Sequence, residues 1–376
     1  MSHNKKAIVV GAGIVGLSAA RALALKGFKV AVIERAERAT GASIRNFGMV
    51  WPIGQPEGEL YSRAIRSKQI WKEIGDKTNF WYEESGSLHL AYEQDEWQVL
   101  QELHDIFRRN GRPVKLLTPD IISNNYHGIN KKNLLGGLFS ETETIVDPRE
   151  AIAAIPAYLE EQLGVEFIWG KAVTYTASNK IWLDNETMFA DVVCICSGSD
   201  FENLYPDKFT SLEITKCKLQ MLRFVNESNA KRIGVSICGG LSLIHYNSFK
   251  VAPSLSNLFK RYSDEMKEYI QWGIHVMVSQ NGQGELTVGD SHEYGLTFDP
   301  FDKTHINELI LNYLQKFCIT DHWKPIQTWH GIYPKMTNGD SGLFVETDPG
   351  VYIINGMGGA GMTLSFGFAE EMINNL

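Results

Sequence analysis

The chain begins with an apolar run, Ala7-Ile-Val-Val10, broken by Gly11, Gly13 and Gly16 and followed by an alanine-rich stretch. An apolar run bounded by glycine predicts a buried strand. The spacing that follows predicts a helix over 14–26, closed by Gly27. A second apolar run, Lys29-Val-Ala-Val-Ile-Glu34, predicts the next strand. The first unit is therefore strand, glycine turn, helix, strand. Similar patterns predict helices over 60–75, 94–110, 148–163 and 304–317. Asp147-Pro148 supplies a cap and a first-turn proline for the third of these. Short strands are expected on either side of Ser85-Gly86 and over 165–169, 172–176, 180–183 and 191–196. A mixture of strands and helical pieces is expected from 216 to 289. Near the end, a strand over 350–355 runs into Gly356-Met-Gly-Gly-Ala-Gly361 and a last helix ending near 375. The segment 36–57 lacks either period but carries Phe47, Met49, Val50 and Trp51. Such a loop is expected to be ordered around a ligand.

Composition narrows the function classes. The 376 residues are 44% hydrophobic and 21% charged, which fits a globular chain of two or three folding units, or one α/β domain with a long insertion. The net charge is −8 and no basic run occurs, so no nucleic-acid partner is expected. No apolar run is long enough for a membrane-spanning helix, and a cytoplasmic protein, monomeric or a small homo-oligomer, is expected. Five cysteines, an odd number, argue against a disulfide framework. Cys194 and Cys196 would share one strand face, as a metal pair or as small buried residues, with the second reading favoured. The ten histidines show no metal-ligand spacing, and no metal is expected. Hydrolase, metalloprotease and phosphate-loop signatures are missing from the sequence.

The chemistry concentrates at the two glycine turns. In Gly11-Ala12-Gly13-Ile14-Val15-Gly16, the first glycine permits the tight turn and the second lets backbone approach a pyrophosphate. The third lets the helix pack on the sheet. The helix start favours phosphate charge. Glu34, followed by Arg35, ends the second strand where an acid binds ribose hydroxyls. The turn at 355–361 opens the last helix in the same way, so two separated turns suit a long ligand gripped at both ends.

With Glu34, Cys196-Ser-Gly198, Trp329-His-Gly331 and Gly356–Gly361 added to the first turn, nearly the whole chain resembles a known family. It is that of the FAD-dependent amine and amino-acid oxidases of the glycine oxidase, sarcosine oxidase and D-amino-acid oxidase type. The segment from Ser43 to Pro56 resembles a subgroup associated with phosphonate catabolism. The resemblance implies an α/β fold: a Rossmann-like FAD domain (1–80, 145–215, 330–376) interleaved with an α+β, antiparallel-sheet substrate domain (81–144, 216–329). It implies that Ser43, Arg45, Asn46, Phe47, Gly48 and Met49 run past the flavin. Val173 would serve the adenine end, with Ser197 and Gly198 near the nucleotide. Gly331, Gly358, Gly359, Ala360, Gly361 and Met362 would lie near the flavin ring. FAD is expected to be non-covalent, since no cysteine lies near 329–335. The implied reaction takes a hydride from the carbon bearing a neutral amine, gives an imine, and uses dioxygen to form hydrogen peroxide. No acid–base side chain is obligatory for it.

One departure bears on the substrate. Glycine oxidase-like members carry an arginine two residues after the glycine of Trp-x-Gly, where it clamps a carboxylate. Here that position is Tyr333. A phenol cannot replace a bidentate guanidinium, which leaves a different anionic group held elsewhere, or an uncharged amine. The resemblance of 43–56 makes an aminophosphonate, 2-aminoethylphosphonate-like and either plain, hydroxylated or N-methylated, the leading expectation. An ordinary amino-acid oxidase and a dehydrogenase with another electron acceptor are alternatives. A non-catalytic flavoprotein is a third. Candidate donors for the anion are Arg45, Lys218, His245, His275 and Lys335, and Met49, Gln220, Tyr246 and Tyr333 are candidate walls. Each has a plainer reading: Arg45 on the FAD phosphates, Lys218 and Lys335 as surface lysines, the histidines as core residues.

Overall fold

A computed structural model describes residues 5–183, 186–228 and 231–376. One sheet has six strands, in the order Leu343–Asp348, Val351–Asn355, Val192–Ile195, Lys6–Val10, Lys29–Glu34 and Glu166–Trp169. All neighbours are parallel except the first pair. Alternate residues face opposite sides. Val9, Val32 and Cys194 pack with Leu17, Leu23, Ile155 and Leu364 of the helices Ile14–Leu25, Pro148–Leu163 and Gly361–Asn374. Ile8, Ile33, Val193 and Ile195 face the other way, toward Val173 and Ile181 of a three-stranded sheet. Cover on both faces explains why these strands read as continuous apolar runs. Cys194 and Cys196 belong to the helix-side core, and burial pushes the Cys194 thiol up to about 12. They are small buried residues, as favoured.

The expected helices appear as Ile14–Leu25, Glu59–Gly75, Gln94–Arg109, Pro148–Leu163, Thr304–Phe317 and Gly361–Asn374. Asp147 caps its helix by accepting from Arg149 N at 2.9 Å. Segment 36–57 is ordered. It holds short turns at Ala42–Ile44 and Pro52–Gly54, and its strand Met49–Val50 pairs with Thr144–Val146. The Asn46 side chain fixes the bend, donating to Ala42 O and Ser43 O and accepting from Gly48 N.

The second large sheet has nine strands. Its spine is the antiparallel pair Ile214–Asn226 and Trp323–Met336, matched from Ile214↔Met336 to Asn226↔Trp323. Neither length was expected. Trp323–Met336 contains Pro325 and Pro334, which usually argue against a strand, yet it lies beyond the main path of the sheet, pairs along its length with Ile214–Asn226, and has on its other side an isolated bridge from Lys335 to Met357 among the described residues. Both strands run through the limits expected for the two domains, at 215 and 329. No described helix is long and apolar enough to cross a membrane.

Candidate active site

A cavity of about 750 Å³ opens at the C-terminal ends of the parallel strands and extends to the antiparallel sheet, the usual place for a ligand in an open α/β sheet. At its nucleotide end the walls are largely backbone. Gly11 has φ +102°, and a Cβ there would lie 2.4 Å from Cys196 O. A Cβ on Gly16 would lie 1.9 Å from Gly11 O, so the helix can sit on its own turn only without a side chain. Glu34 accepts from Ala12 N at 2.9 Å and Ala36 N at 3.1 Å, and so holds the turn. Ile14 N donates to Ser43 Oγ at 2.9 Å, which fastens segment 42–49 to the helix start.

Most of the expected nucleotide residues line this cavity. Gly11, Gly13, Ile14, Val15, Glu34 and Arg35 form one part of the wall; Ser43, Arg45, Asn46, Phe47 and Met49 form another. Val173, Ser197 and Gly198 also border it, and Arg35 pairs with Asp200 at 2.6 Å. Ala12, Gly16 and Gly48 do not line it. Ala12 and Gly16 shape the turn, and Gly48, with φ +74°, packs against Val146 O. The C-terminal turn supplies Gly358, Gly359, Ala360, Gly361 and Met362, with Gly331 beside it. A Cβ on Gly361 would touch Ile14, and one on Gly359 would approach the Tyr333 hydroxyl, so this turn joins the two ends.

The substrate end is built from side chains. Tyr333 and Lys335 lie two apart on Trp323–Met336 and so share its cavity face. Burial raises the Tyr333 phenol well above its ordinary value. Lys335 Nζ donates to the Tyr294 hydroxyl at 2.9 Å, and Arg45 Nη1 donates to His330 O at 3.3 Å. Among the described residues, the recorded hydrogen-bond and ion-pair partners of these two cations include no carboxylate. Trp329 Nε1 donates to Arg45 O at 3.2 Å, and a Cβ on Gly331 would lie 3.3 Å from the same oxygen. The Trp-x-Gly motif therefore grips the Arg45 backbone.

Gln220 and Lys218 are corrections. Gly331 pairs with Leu219 and Tyr333 with Cys217, so the odd positions of Ile214–Asn226 share the cavity side, and Leu219 lines the cavity. Gln220 points to the opposite face and donates to Lys303 O at 3.0 Å and Asn307 Oδ1 at 2.8 Å. Lys218 donates to Asp299 O and Phe301 O on that same face. A shift of one residue exchanges the faces of a strand.

His245, Tyr246 and His275 line the cavity, together with Asp290 and His292, which were not singled out from the sequence. His245 and His275 stack with ring centroids 3.6 Å apart, and His292 lies 4.9 and 5.2 Å from them. His275 Nε2 is 3.1 Å from Asp290 Oδ1, and His292 Nδ1 is 2.8 Å from Gly273 O. Loss of hydration at the deep end of the cavity holds His245 and His275 well below the usual imidazole range and His292 down at about 4, although the His245 ring still faces the open cavity. Burial also pushes the Asp290 carboxyl well up. Pairing of Met277 with Gly289 brings His275 beside Asp290 and His292. The turn-forming Asn281-Gly282 between these strands is the signal that could have revealed the hairpin.

The family model described as FAD dependent oxidoreductase matches residues 6–374, and the chain belongs to that family. D-amino acid dehydrogenase 3 of Mesorhizobium japonicum is 23% identical, with 96% of this chain and 94% of that protein covered. The tRNA 5-methylaminomethyl-2-thiouridine biosynthesis bifunctional protein MnmC of Saccharophagus degradans is 24% identical. Its match covers 74% of this chain but only 40% of that protein's length. A solved glycine oxidase of Bacillus cereus superposes with a TM-score of 0.78 at 17% identity, covering 99% of this chain and 94% of that one. This shows a shared fold. The glycine cradle at Gly11 and Gly16, the joining turn at 358–361 and the long cavity fit FAD.

Proposed function

We propose that this FAD dependent oxidoreductase oxidises the carbon–nitrogen bond of a small amine that also carries an anionic group, most simply an aminophosphonate. The observation that carries the reading is the pair Arg45 and Lys335, two cations at the cavity wall that pair with no carboxylate among the described residues, beside a tyrosine where the resemblance to glycine oxidase-like proteins implies a carboxylate-clamping arginine. Non-covalent FAD, held by the glycine turns at 11–16 and 358–361, would supply the two-electron acceptor for the C–H bond beside the nitrogen, with dioxygen as the final acceptor and hydrogen peroxide as its product. The oxidised substrate is an imine, which water converts to a carbonyl compound and ammonia or a smaller amine.

The protein's part is placement and local charge. Lys335 and Arg45 hold the anion, while Tyr333, Met49 and Tyr246 bound the space for the carbon chain. The neutral imidazoles of His245 and His275 favour an uncharged amine, the form that releases a hydride. The walls fix the C–H bond in a reactive orientation. The two-domain division at 80, 144, 215 and 329 is part of this proposal, and so is assignment of the cavity-lining glycines to FAD. A second reading, a dehydrogenase with an acceptor other than dioxygen, is favoured by the D-amino acid dehydrogenase match.

The test is an anaerobic titration of the FAD-loaded protein with glycine, sarcosine, D-alanine and 2-aminoethylphosphonate, together with its hydroxylated and N-methylated relatives. Bleaching of the flavin by the phosphonates alone is the expected result. Equal bleaching by glycine or D-alanine would overturn the anion assignment. In air, one peroxide per amine consumed supports dioxygen as acceptor, and no peroxide makes the chain a dehydrogenase.

A further inference from the structure

Three histidines far apart in sequence meet at the substrate end of the cavity. One ring nitrogen of each of His245, His275 and His292 lies within 4.8 Å of the other two. We propose that these side chains bind a divalent first-row metal ion of the zinc class, and that the ion's free position takes an oxygen of the substrate anion. The second half rests on the function proposed above; the first does not.

The surroundings favour a cation over other ligands. His292 lies with Nδ1 2.8 Å from Gly273 O, so donation of that N–H leaves Nε2, which is 3.8 Å from Asp290 Oδ2, as the nitrogen with a lone pair to offer. His275 has Asp290 Oδ1 3.1 Å from its Nε2, while its Nδ1 is buried without a hydrogen-bond partner among the described residues. A backbone carbonyl or a carboxylate behind each imidazole is how metal-ligating histidines are oriented. The unpartnered His275 Nδ1 is left facing its neighbours with a lone pair to offer, and a metal ion would satisfy it.

The ring spacing says which residue moves. With metal–nitrogen bonds of about 2.1 Å, two imidazoles on one tetrahedral ion hold their centroids about 5 Å apart. The pairs His275–His292, at 5.2 Å, and His245–His292, at 4.9 Å, fit this spacing. The stacked pair His245–His275, at 3.6 Å, is too close. His245 follows a short turn, Gly240–Ile244, and its ring is exposed to the cavity, so it can swing away from His275. Three protein ligands and one open position make a site that accepts a substrate atom. Lys335 lines the same cavity as the three rings. A divalent ion beside Lys335 would make this end of the cavity positive, and a phosphonate dianion would offset that charge.

The experiment uses the FAD-loaded protein, stripped with a chelator and titrated with zinc under equilibrium dialysis, with metal and flavin both counted per chain. One zinc per chain at full flavin content is expected. His245→Ala, His275→Asn and His292→Gln should each weaken zinc binding at least tenfold. His245→Ala is the arm least exposed to misfolding, because its ring faces the cavity. No stoichiometric zinc in the flavin-replete protein, or unchanged binding in His245→Ala, would overturn the site. Binding of 2-aminoethylphosphonate, read as a flavin spectral shift, should then tighten at least tenfold with zinc. If zinc binds and this affinity does not change, the ion's role toward the anion falls. If zinc binds and no phosphonate binds at all, the proposed function fails and the metal site stands.

Discussion

At its nucleotide end the cavity is walled by backbone, drawn from one glycine turn, two strand ends and a helix start. At its substrate end it is walled by side chains, drawn from Tyr246, His275, Asp290, His292, Tyr333 and Lys335. The backbone wall is fixed by steric limits and suits a ligand common to many enzymes. The side-chain wall can change by substitution while the sheet beneath it stays, and suits recognition of one substrate. The two ends should therefore fail differently when altered.

The largest effect is expected at the nucleotide end. Gly16→Ala would put a methyl group 1.9 Å from Gly11 O, so the helix must shift from its own turn. Such overpacking against backbone costs about 3 kcal/mol or more. FAD content should fall below about a tenth, with a lowered Tm, for a loss of that size. A fully yellow Gly16→Ala protein with an unchanged Tm would break the steric account of this end.

Lys335→Met should act without disturbing the fold, since the side-chain hydrogen bond lost is the one to the exposed Tyr294. A hydrogen bond to a charged group is worth about 1.5–3 kcal/mol, or roughly a ten- to hundredfold rise in KM for an anionic amine. FAD content should be unchanged and kcat nearly so, because the lysine binds ground and transition states alike. A matching fall in kcat would move Lys335 from substrate binding to chemistry. Glu34→Ala sharpens the contrast from the other side. It removes acceptors from Ala12 N and Ala36 N and should weaken FAD about tenfold, at about 1–2 kcal/mol. Its effect on KM at saturating FAD should be negligible.

The same contrast explains what could be read from the chain. The first unit, from Lys6–Val10 to Lys29–Glu34, is local: strand, turn and helix touch their sequence neighbours, and each glycine has a steric reason visible within a few residues. The substrate end depends on pairings between distant strands. Tyr333 faces the cavity because Trp323–Met336 pairs with Ile214–Asn226 in one register, and nothing within either segment states that register. Gln220 was misplaced for this reason, while Leu219 beside it lines the cavity. His292 was missed because its neighbours there, His245 and His275, come from a separate turn and from the opposite arm of a hairpin. Histidine spacing in sequence carries no record of such a meeting.

The smallest effect concerns how the nucleotide side is clamped. Arg21 on Ile14–Leu25, Arg66 and Glu73 on Glu59–Gly75, and Glu370 on Gly361–Asn374 form one ion-pair network across three helices. Burial pushes the Glu370 carboxyl up, but hydrogen bonds from Arg66 and Arg21 outweigh it and hold the group below its ordinary 4.5. A carboxyl lowered in the folded state contributes stability above its unfolded pKa and loses that share as pH falls through the folded one. The wild-type Tm should therefore exceed that of Glu370→Gln near neutrality, with the gap closing as pH falls from about 5. Glu370 is half-buried and solvent screens its pairs, so the gap should be only a few degrees. A gap that stays constant with pH would mean that packing of the three helices, rather than this charge, holds the nucleotide side together.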